Sequence, residues 1–242
     1  MKRVLMLGAL VAALTIPTLA LALPTAWFQV GDDVYNLDSE WSYDGGLDLW
    51  ALNFEYETAD FKVSGSATGK EDPYFLYTFS VTNYGAGALD FYYGFDIPII
   101  LANPDNIVYS SFSGSWTDAR RDGLTVTPNQ PGDADADGVE ISHTVLDGVT
   151  NAGVDVGSGF SWPGGLPNSG TLPGPYAQGP LLGPVGIWTS LGLRLGFNLT
   201  GNQDAVTLNG YSSIDPVPEP GALLLLGVGL LGLGMWRVRR RS

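Results

Sequence analysis

A short acidic stretch carries the residue pattern best suited to ion binding. Asp133, Asp135 and Asp137 occupy alternate positions before a glycine, and Glu140 follows shortly after. Carboxylates at the first, third and fifth positions of a D-x-D-x-D-G stretch turn inward onto one hard cation in calcium loops. The twelfth position, however, is Thr144 instead of a bidentate glutamate, and the flanking residues alternate as strands do. Two interpretations stay open, a Ca²⁺ site within a β-loop and a solvated acidic turn.

The remaining reactive side chains do not form a catalytic pattern. The chain has one histidine, His143, and no cysteine, which excludes two-histidine metal sites, thiol nucleophiles and disulfides. His143 falls on the apolar side of its strand, so we expect a packed, hydrogen-bonded histidine. Glu55 and Glu57 share one strand face, but they alternate with aromatic residues, as acidic residues on a solvated face do. We therefore expect no enzymatic activity.

Aromatic residues outside the apolar strand positions are the candidates for sugar contacts. The sequence places Tyr84 in a turn, Tyr92 on the polar side of a strand, and Trp162 and Tyr176 in an interval rich in glycine and proline. Flat rings beside Asp and Asn side chains are suited to packing on sugar rings. The alternative is an ordinary surface role or a role in holding a loop.

Period-two alternation runs through most of the chain between its ends. Apolar residues alternate with polar ones at 50–56, 75–81, 89–97, 139–145, 191–199 and 206–208. This period is that of half-buried strands, and no stretch between the ends has helical periodicity. The pattern predicts an all-β fold, an antiparallel β-sandwich or jelly-roll-like ectodomain. The runs 75–81 and 89–97, separated by a glycine-bearing turn, predict a hairpin.

Residues 157–186 interrupt the alternation with nine glycines and six prolines. An interval of this length without secondary structure is either functional or disordered. We predict a long surface loop that Trp162 and Tyr176 hold in place. The strands after it are too few to form their own core, so we expect a single domain over residues 23–214.

The N-terminal residues have the pattern of an export signal. Lys2 and Arg3 precede an apolar stretch over residues 4–16, and Ala20 and Ala22 form an A-x-A cleavage pattern. These are the basic, hydrophobic and small-residue regions of a secretory signal peptide. We predict that residues 1–22 direct the chain to the secretion machinery and are removed after Ala22.

A second apolar run lies near the C-terminus. Residues 222–236 carry no charge, and residues 237–242 add four arginines. As a helix the run spans roughly 22 Å, less than the ~30 Å hydrocarbon core, so we predict a short transmembrane helix. Because positively charged flanks stay in the cytoplasm, we expect residues 23–220 on the other side of the membrane.

The junction before this run contains Pro218-Glu219-Pro220. Together with the apolar run and the basic tail, residues 215–242 resemble the PEP-CTERM sorting signal of Gram-negative bacteria. The resemblance implies that an exosortase, a membrane cysteine protease or transpeptidase, recognises Pro218, Glu219 and Pro220. Such a tail is also known as an ice-binding-protein C-terminal domain, a label that does not imply ice binding. The prolines on either side of Glu219 keep the site extended and accessible.

The resemblance also implies a location and a setting. It implies export across the inner membrane, a transient membrane anchor, and a final place at the cell surface or outside the cell, among exopolysaccharide, biofilm or floc. Five basic residues and all 25 acidic residues lie between the terminal segments, a formal net charge of −20. This charge excludes a basic nucleic-acid-binding surface.

Two functions remain from the sequence. The first is a non-catalytic surface or extracellular-matrix protein associated with exopolysaccharide, whose partner in sorting is an exosortase. The second is a carbohydrate-binding module with a defined sugar site. Ca²⁺ is the one cofactor that the sequence suggests for either function, through the acidic stretch 133–140.

Overall fold

The computed structural model of the protein describes residues 23–70, 73–101, 104–129, 140–148, 150–174 and 176–217. Four predicted features lie outside this part of the chain: the signal peptide with Ala20 and Ala22, the Pro218-Glu219-Pro220 site, the terminal segments 222–236 and 237–242, and the carboxylates of Asp133, Asp135 and Asp137. Within the described ranges, no helix is long and apolar enough to cross a membrane.

The described residues form sixteen strands and a single 3-10 turn at Asp38–Glu40. The strands are β1 (Thr25–Val30), β2 (Asp33–Asn36), β3 (Trp41–Asp44), β4 (Leu49–Glu57), β5 (Phe61–Lys70), β6 (Tyr74–Asn83), β7 (Leu89–Pro98), β8 (Asn106–Thr117), β9 (Leu124–Pro128), β10 (Ser142–Leu146), β11 (Thr150–Val156), β12 (Phe160–Trp162), β13 (Ser169–Thr171), β14 (Tyr176–Leu182), β15 (Ser190–Leu199) and β16 (Asp204–Pro216). The prediction of an all-β chain between the termini is confirmed for these residues.

The strands form two antiparallel sheets. The first sheet has the order β11-β10-β15-β7-β1-β2, with β9 also beside β15 and β12 beside β9. The second sheet has the order β13-β8-β16-β6-β5-β4-β3, with β14 also beside β8. Strands β15 and β16 are the last two in the described part of the chain, yet they lie in the middle of the two sheets. Residues on both sides of the interval 157–186 therefore share one core.

Alternation decides which face of each strand is buried. In β6, the odd-numbered residues from Phe75 to Val81 are at most 4% exposed, whereas the even-numbered residues between them are half-buried or exposed. In β7, Phe91, Tyr93 and Phe95 are fully buried in the same way. Aromatic and β-branched side chains suit such half-buried pleated surfaces.

Aromatic rings join the two sheets across the core. Phe79 of the second sheet stacks on Tyr93 of the first, with ring centroids 4.7 Å apart and planes 4° apart. Phe75 meets Phe95 edge-on at 4.8 Å. The two sheets thus pack face to face, as the sandwich prediction requires, and the jelly-roll connectivity stays a prediction.

The predicted hairpin between residues 75–81 and 89–97 is wrong. β6 pairs with β5 and β16 in the second sheet, whereas β7 pairs with β1 and β15 in the first. The connection 84–88 therefore crosses from one sheet to the other. Stacked sheets lie about 10 Å apart, a distance that a five-residue connection spans, and both arrangements bury the same face of each strand.

The predicted long loop over residues 157–186 also needs correction, because it contains β12, β13 and β14. β14 pairs with β8 on the edge of the second sheet, and β12 pairs with β9 beside the first. The pairing of β14 shifts between Gln178 and Leu181, where Gly179 has a φ of +100° and Pro180 has no N–H to donate. Glycine and proline are tolerated at such edge irregularities, so a composition typical of loops is compatible with edge strands.

We predict that the inter-sheet aromatic contacts dominate stability. The variant Phe95→Ala removes a fully buried ring that contacts Phe75, Tyr77 and Tyr93, and we expect a loss of about 3–5 kcal/mol in the free energy of unfolding. Urea unfolding followed by far-UV circular dichroism measures this loss. Ile100→Ala, at a position 60% exposed, is the control and should change stability by less than about 0.5 kcal/mol. Equal losses in both variants would contradict this account of the core.

Candidate functional sites

Of the four predicted calcium ligands, Glu140 lies in the described part of the chain. Glu140 is described, half-buried just before β10, whereas Asp133, Asp135 and Asp137 lie outside the described residues. The Ca²⁺ site at residues 133–140 therefore stays a prediction.

Three other carboxylates come together in the described part of the chain. Asp118 follows β8, Asp122 lies in the connection from β8 to β9, and Asp204 begins β16. One carboxylate oxygen of each residue lies within 4.8 Å of one oxygen of each of the other two. Asp118 and Asp204 are fully buried, and Asp122 is exposed. We call these three residues the acidic cluster.

Asp118 organises the connection that carries Asp122. Its Oδ1 accepts hydrogen bonds from the backbone N–H groups of Arg121 (2.6 Å) and Asp122 (3.2 Å), and its Oδ2 accepts one from Gly123 (3.0 Å). Asp122 in turn accepts a hydrogen bond at 2.9 Å from the side-chain amide of Asn202, which lies just before β16. The two chain segments are thus tied together around the acidic cluster.

Asp204 combines full burial with an incompletely hydrogen-bonded carboxylate. Its Oδ2 accepts a hydrogen bond from the hydroxyl of Thr200, whereas its Oδ1 is buried and accepts none from the described residues. Burial is the main cause that raises the pKa of the Asp204 carboxyl to about 6; the Thr200 hydrogen bond opposes this rise, and the charges of Asp118 and Asp122 add to it. No lysine or arginine of the described chain forms an ion pair with any of the three carboxylates.

Sequence reasoning did not find the acidic cluster, because its members are far apart in the chain. The pairing of β16 with β8, in which Ala205 lies opposite Thr117, brings Asp204 beside Asp118. Such a long-range register leaves no local motif. The available signal is weak: an aspartate at the end of one strand and another at the start of a second.

The four predicted sugar-contact residues lie in different places. Tyr84, in the connection from β6 to β7, donates its hydroxyl hydrogen bond to Glu57 at 2.9 Å. Tyr92 is half-buried on the outer face of the first sheet. Trp162 and Tyr176 pack against inward-facing rings of β8, with centroids 5.2 Å from Trp116 and 5.0 Å from Phe112 respectively. The structure does not gather the four on one surface, and their role in sugar contact stays a prediction.

The outer face of the second sheet carries a groove that the sequence analysis did not single out. The groove has a volume of about 440 Å³ and crosses β5, β6, β16 and β8. Its polar lining includes Ser66, Thr68, Thr78, Ser111, Asn209 and Tyr211. None of the four predicted sugar-contact residues lines it. Alternation in β16 predicts that Asn209 and Tyr211 face outward, and this is the signal that could have pointed to the groove.

Hydroxyl, amide and aromatic groups give this groove its chemistry. The Thr78 hydroxyl donates to Oδ1 of Asn209 at 2.9 Å, which leaves the Asn209 NH₂ group without a described partner. The ring of Tyr211 lies between those of Tyr74 and Tyr109, at centroid distances of 6.2 and 5.9 Å. Neutral hydrogen-bonding groups beside an aromatic ring suit a polyhydroxylated ligand better than a charged one.

The other residues considered for catalysis, Glu55, Glu57 and His143, lie beside ionisable side chains. Nζ of Lys62 lies 2.8 Å from Oε1 of Glu55 and 3.6 Å from Oε2 of Glu57, so both carboxylates pair with one cation on an exposed face. His143 is 4% exposed, and its Nδ1 lies 3.2 Å from Oδ1 of Asp155. The expectation of a packed histidine is confirmed.

We predict that Trp162 acts mainly in packing. Because its half-buried ring lies against Trp116, Trp162→Ala should lower the free energy of unfolding by about 2 kcal/mol. The matched control is Val185→Ala, a 73% exposed position in the same interval, which should be nearly neutral. Far-UV circular dichroism during urea unfolding compares the two, since it does not depend on tryptophan emission. An unchanged free energy of unfolding in Trp162→Ala would contradict the packing role and favour a surface role for this ring.

Comparison with known proteins identifies a known motif in one segment of the chain, at its C-terminal end. No curated protein is a match for the sequence. Among solved structures, the chain is similar to a protein assigned as an aldose 1-epimerase from Escherichia coli K12, with 14% identity over 73% of this chain and 69% of that one and a TM-score of 0.28. This score is too low to indicate a shared fold.

The C-terminal segment gives the specific result. Residues 216–241 match the PEP-CTERM protein-sorting motif, which confirms the resemblance seen at Pro218-Glu219-Pro220. The chain is therefore an exported protein that carries a PEP-CTERM sorting signal and has an exosortase as its processing partner.

Proposed function

We propose that the protein is a non-catalytic component of the bacterial cell surface or extracellular matrix, associated with exopolysaccharide or biofilm. The PEP-CTERM motif at residues 216–241 carries this proposal. The formal charge of −20 that the protein carries between its terminal segments supports the same proposal. An acidic surface stays soluble among anionic polymers and can be bridged to them by divalent cations.

The position of the motif relative to the fold supports the same proposal. β16 ends at Pro216, and the backbone N–H of Val217 still donates to the carbonyl oxygen of Asp105 at 2.9 Å. The Pro218-Glu219-Pro220 site thus follows the folded domain without a linker. Processing at this site removes no residue of β16, so the released domain keeps its central strand.

The sorting proposal predicts a processing defect in the variant Glu219→Ala. In its own host, this variant should accumulate in the membrane fraction at the unprocessed mass, because the Pro218-Glu219-Pro220 site has lost its one charged residue. Fractionation followed by mass spectrometry of the C-terminus measures the outcome. Asp215→Asn changes an exposed carboxylate just before the motif and is the control, expected to mature normally. Normal processing of Glu219→Ala would refute use of the motif.

Carbohydrate binding is the second candidate function, and the groove on the second sheet favours it. Its hydroxyl and amide groups match sugar hydroxyls as hydrogen-bond partners, and Tyr211 offers a ring for stacking. The groove is open to solvent rather than enclosed, which suits a polymer chain better than a small buried ligand. A matrix protein with such a face would attach directly to polysaccharide.

A binding assay with the processed protein tests this second candidate. We expect saturable binding to exopolysaccharide from the host, and Tyr211→Ala should weaken it about fivefold, since losing one stacked ring removes on the order of 1 kcal/mol. Tyr92→Ala, on the opposite outer face of the protein, is the matched control and should bind normally. Weaker binding in Tyr92→Ala alone would indicate that the sugar site lies on the first sheet instead. Absence of saturable binding would leave only the matrix role.

A further inference from the structure

The acidic cluster has the geometry of a cation site. Oxygen atoms that share a Ca²⁺ ion lie 2.3–2.6 Å from it, and hence at most roughly 5.2 Å from one another. The three carboxylate oxygens of Asp118, Asp122 and Asp204 lie within 4.8 Å of one another. Side-chain shifts of at most a few tenths of an ångström therefore bring all three oxygens within reach of one cation.

A second observation, independent of the clustering, points to a ligand. Asp204 is fully buried, and its Oδ1 accepts no hydrogen bond from the described residues. A buried carboxylate oxygen without a partner is costly unless a proton or a cation satisfies it. No described lysine or arginine pairs with Asp204.

The donor set selects the kind of cation. All three donors are carboxylates, which are hard oxygen ligands, and the chain has no cysteine and places its one histidine against Asp155. Hard oxygen ligands without imidazole or thiolate favour Ca²⁺ or Mg²⁺ over zinc and copper. Asp118 and Asp122 both lie in the β8–β9 connection, and the exposed side chain of Asp122 has room to adjust. This arrangement suits the variable coordination of Ca²⁺ better than the strict octahedron of Mg²⁺.

We infer that Asp118, Asp122 and Asp204 bind one Ca²⁺ ion, which fastens the β8–β9 connection to the start of β16. This site differs from the acidic stretch 133–140, where the sequence pattern is local. Its effect is structural: the ion joins the first residue of a central strand to a surface connection that a hydrogen bond from Asn202 to Asp122 already holds. Millimolar affinities are typical of extracellular calcium modules, and we expect a comparable or tighter value here.

Calcium titration of the processed protein tests the site. The measurement is made in a background with Asp133, Asp135 and Asp137 each changed to Asn, so that the acidic stretch cannot contribute. After chelation with EDTA, isothermal titration with CaCl₂ should show one bound ion, and the melting temperature should rise with added Ca²⁺. Absence of binding at millimolar Ca²⁺ in this background would overturn the inference.

Two variants assign the binding to these residues. In the same background Asp204→Asn should abolish binding. Asp122→Asn, which alters an exposed side chain outside the core, should weaken affinity about tenfold or more because the site loses one of three charges. Asp32→Asn removes an exposed carboxylate elsewhere and should bind as the background does. Circular dichroism of each calcium-free variant checks the fold. Unchanged affinity in a folded Asp204→Asn or Asp122→Asn protein would overturn the inference.

Discussion

Contact between aromatic rings of the two sheets is the interaction on which the rest of the structure depends. The chain has no cysteine, so no disulfide supports the domain outside the cell. Phe79 on Tyr93 and Phe75 on Phe95 join the sheets where β6 faces β7. These rings bury large apolar areas and hold the sheets at one spacing. The outer faces are then free to carry polar and acidic groups.

This core explains which parts of the fold could be predicted. Alternation identifies the buried residues of β6 and β7, because side chains of a strand alternate between its two faces whatever its partner. It does not identify the partner itself. β6 pairs with β16, more than a hundred residues later, and the connection 84–88 fits a hairpin or a crossing between sheets equally well. Residues 157–186 show the converse case, since edge strands form there despite many glycines and prolines.

The candidate sites also divide into those that contiguous residues reveal and those that depend on long-range strand pairing. The PEP-CTERM motif is read from contiguous residues, so the sequence alone identifies it, and the family match agrees. The acidic cluster and the groove exist only through strand register: Asp204 meets Asp118 because β16 pairs with β8. The sequence pattern instead drew attention to Asp133, Asp135 and Asp137, where the carboxylates are close in the chain. Proximity in sequence and proximity in space thus favour different carboxylates for calcium.

One strand connects all of these features. β16 begins at Asp204 in the acidic cluster, passes the groove at Asn209 and Tyr211, and ends at Pro216 beside the sorting motif. Thirteen extended residues span about 40 Å, so the acidic cluster lies far from the C-terminal end of β16. An ion at the first residue of this strand would stabilise it at the end opposite Pro216. Because β16 lies between β6 and β8 in the second sheet and ends at Pro216, the proposed cut at Pro218-Glu219-Pro220 would leave its hydrogen bonds intact.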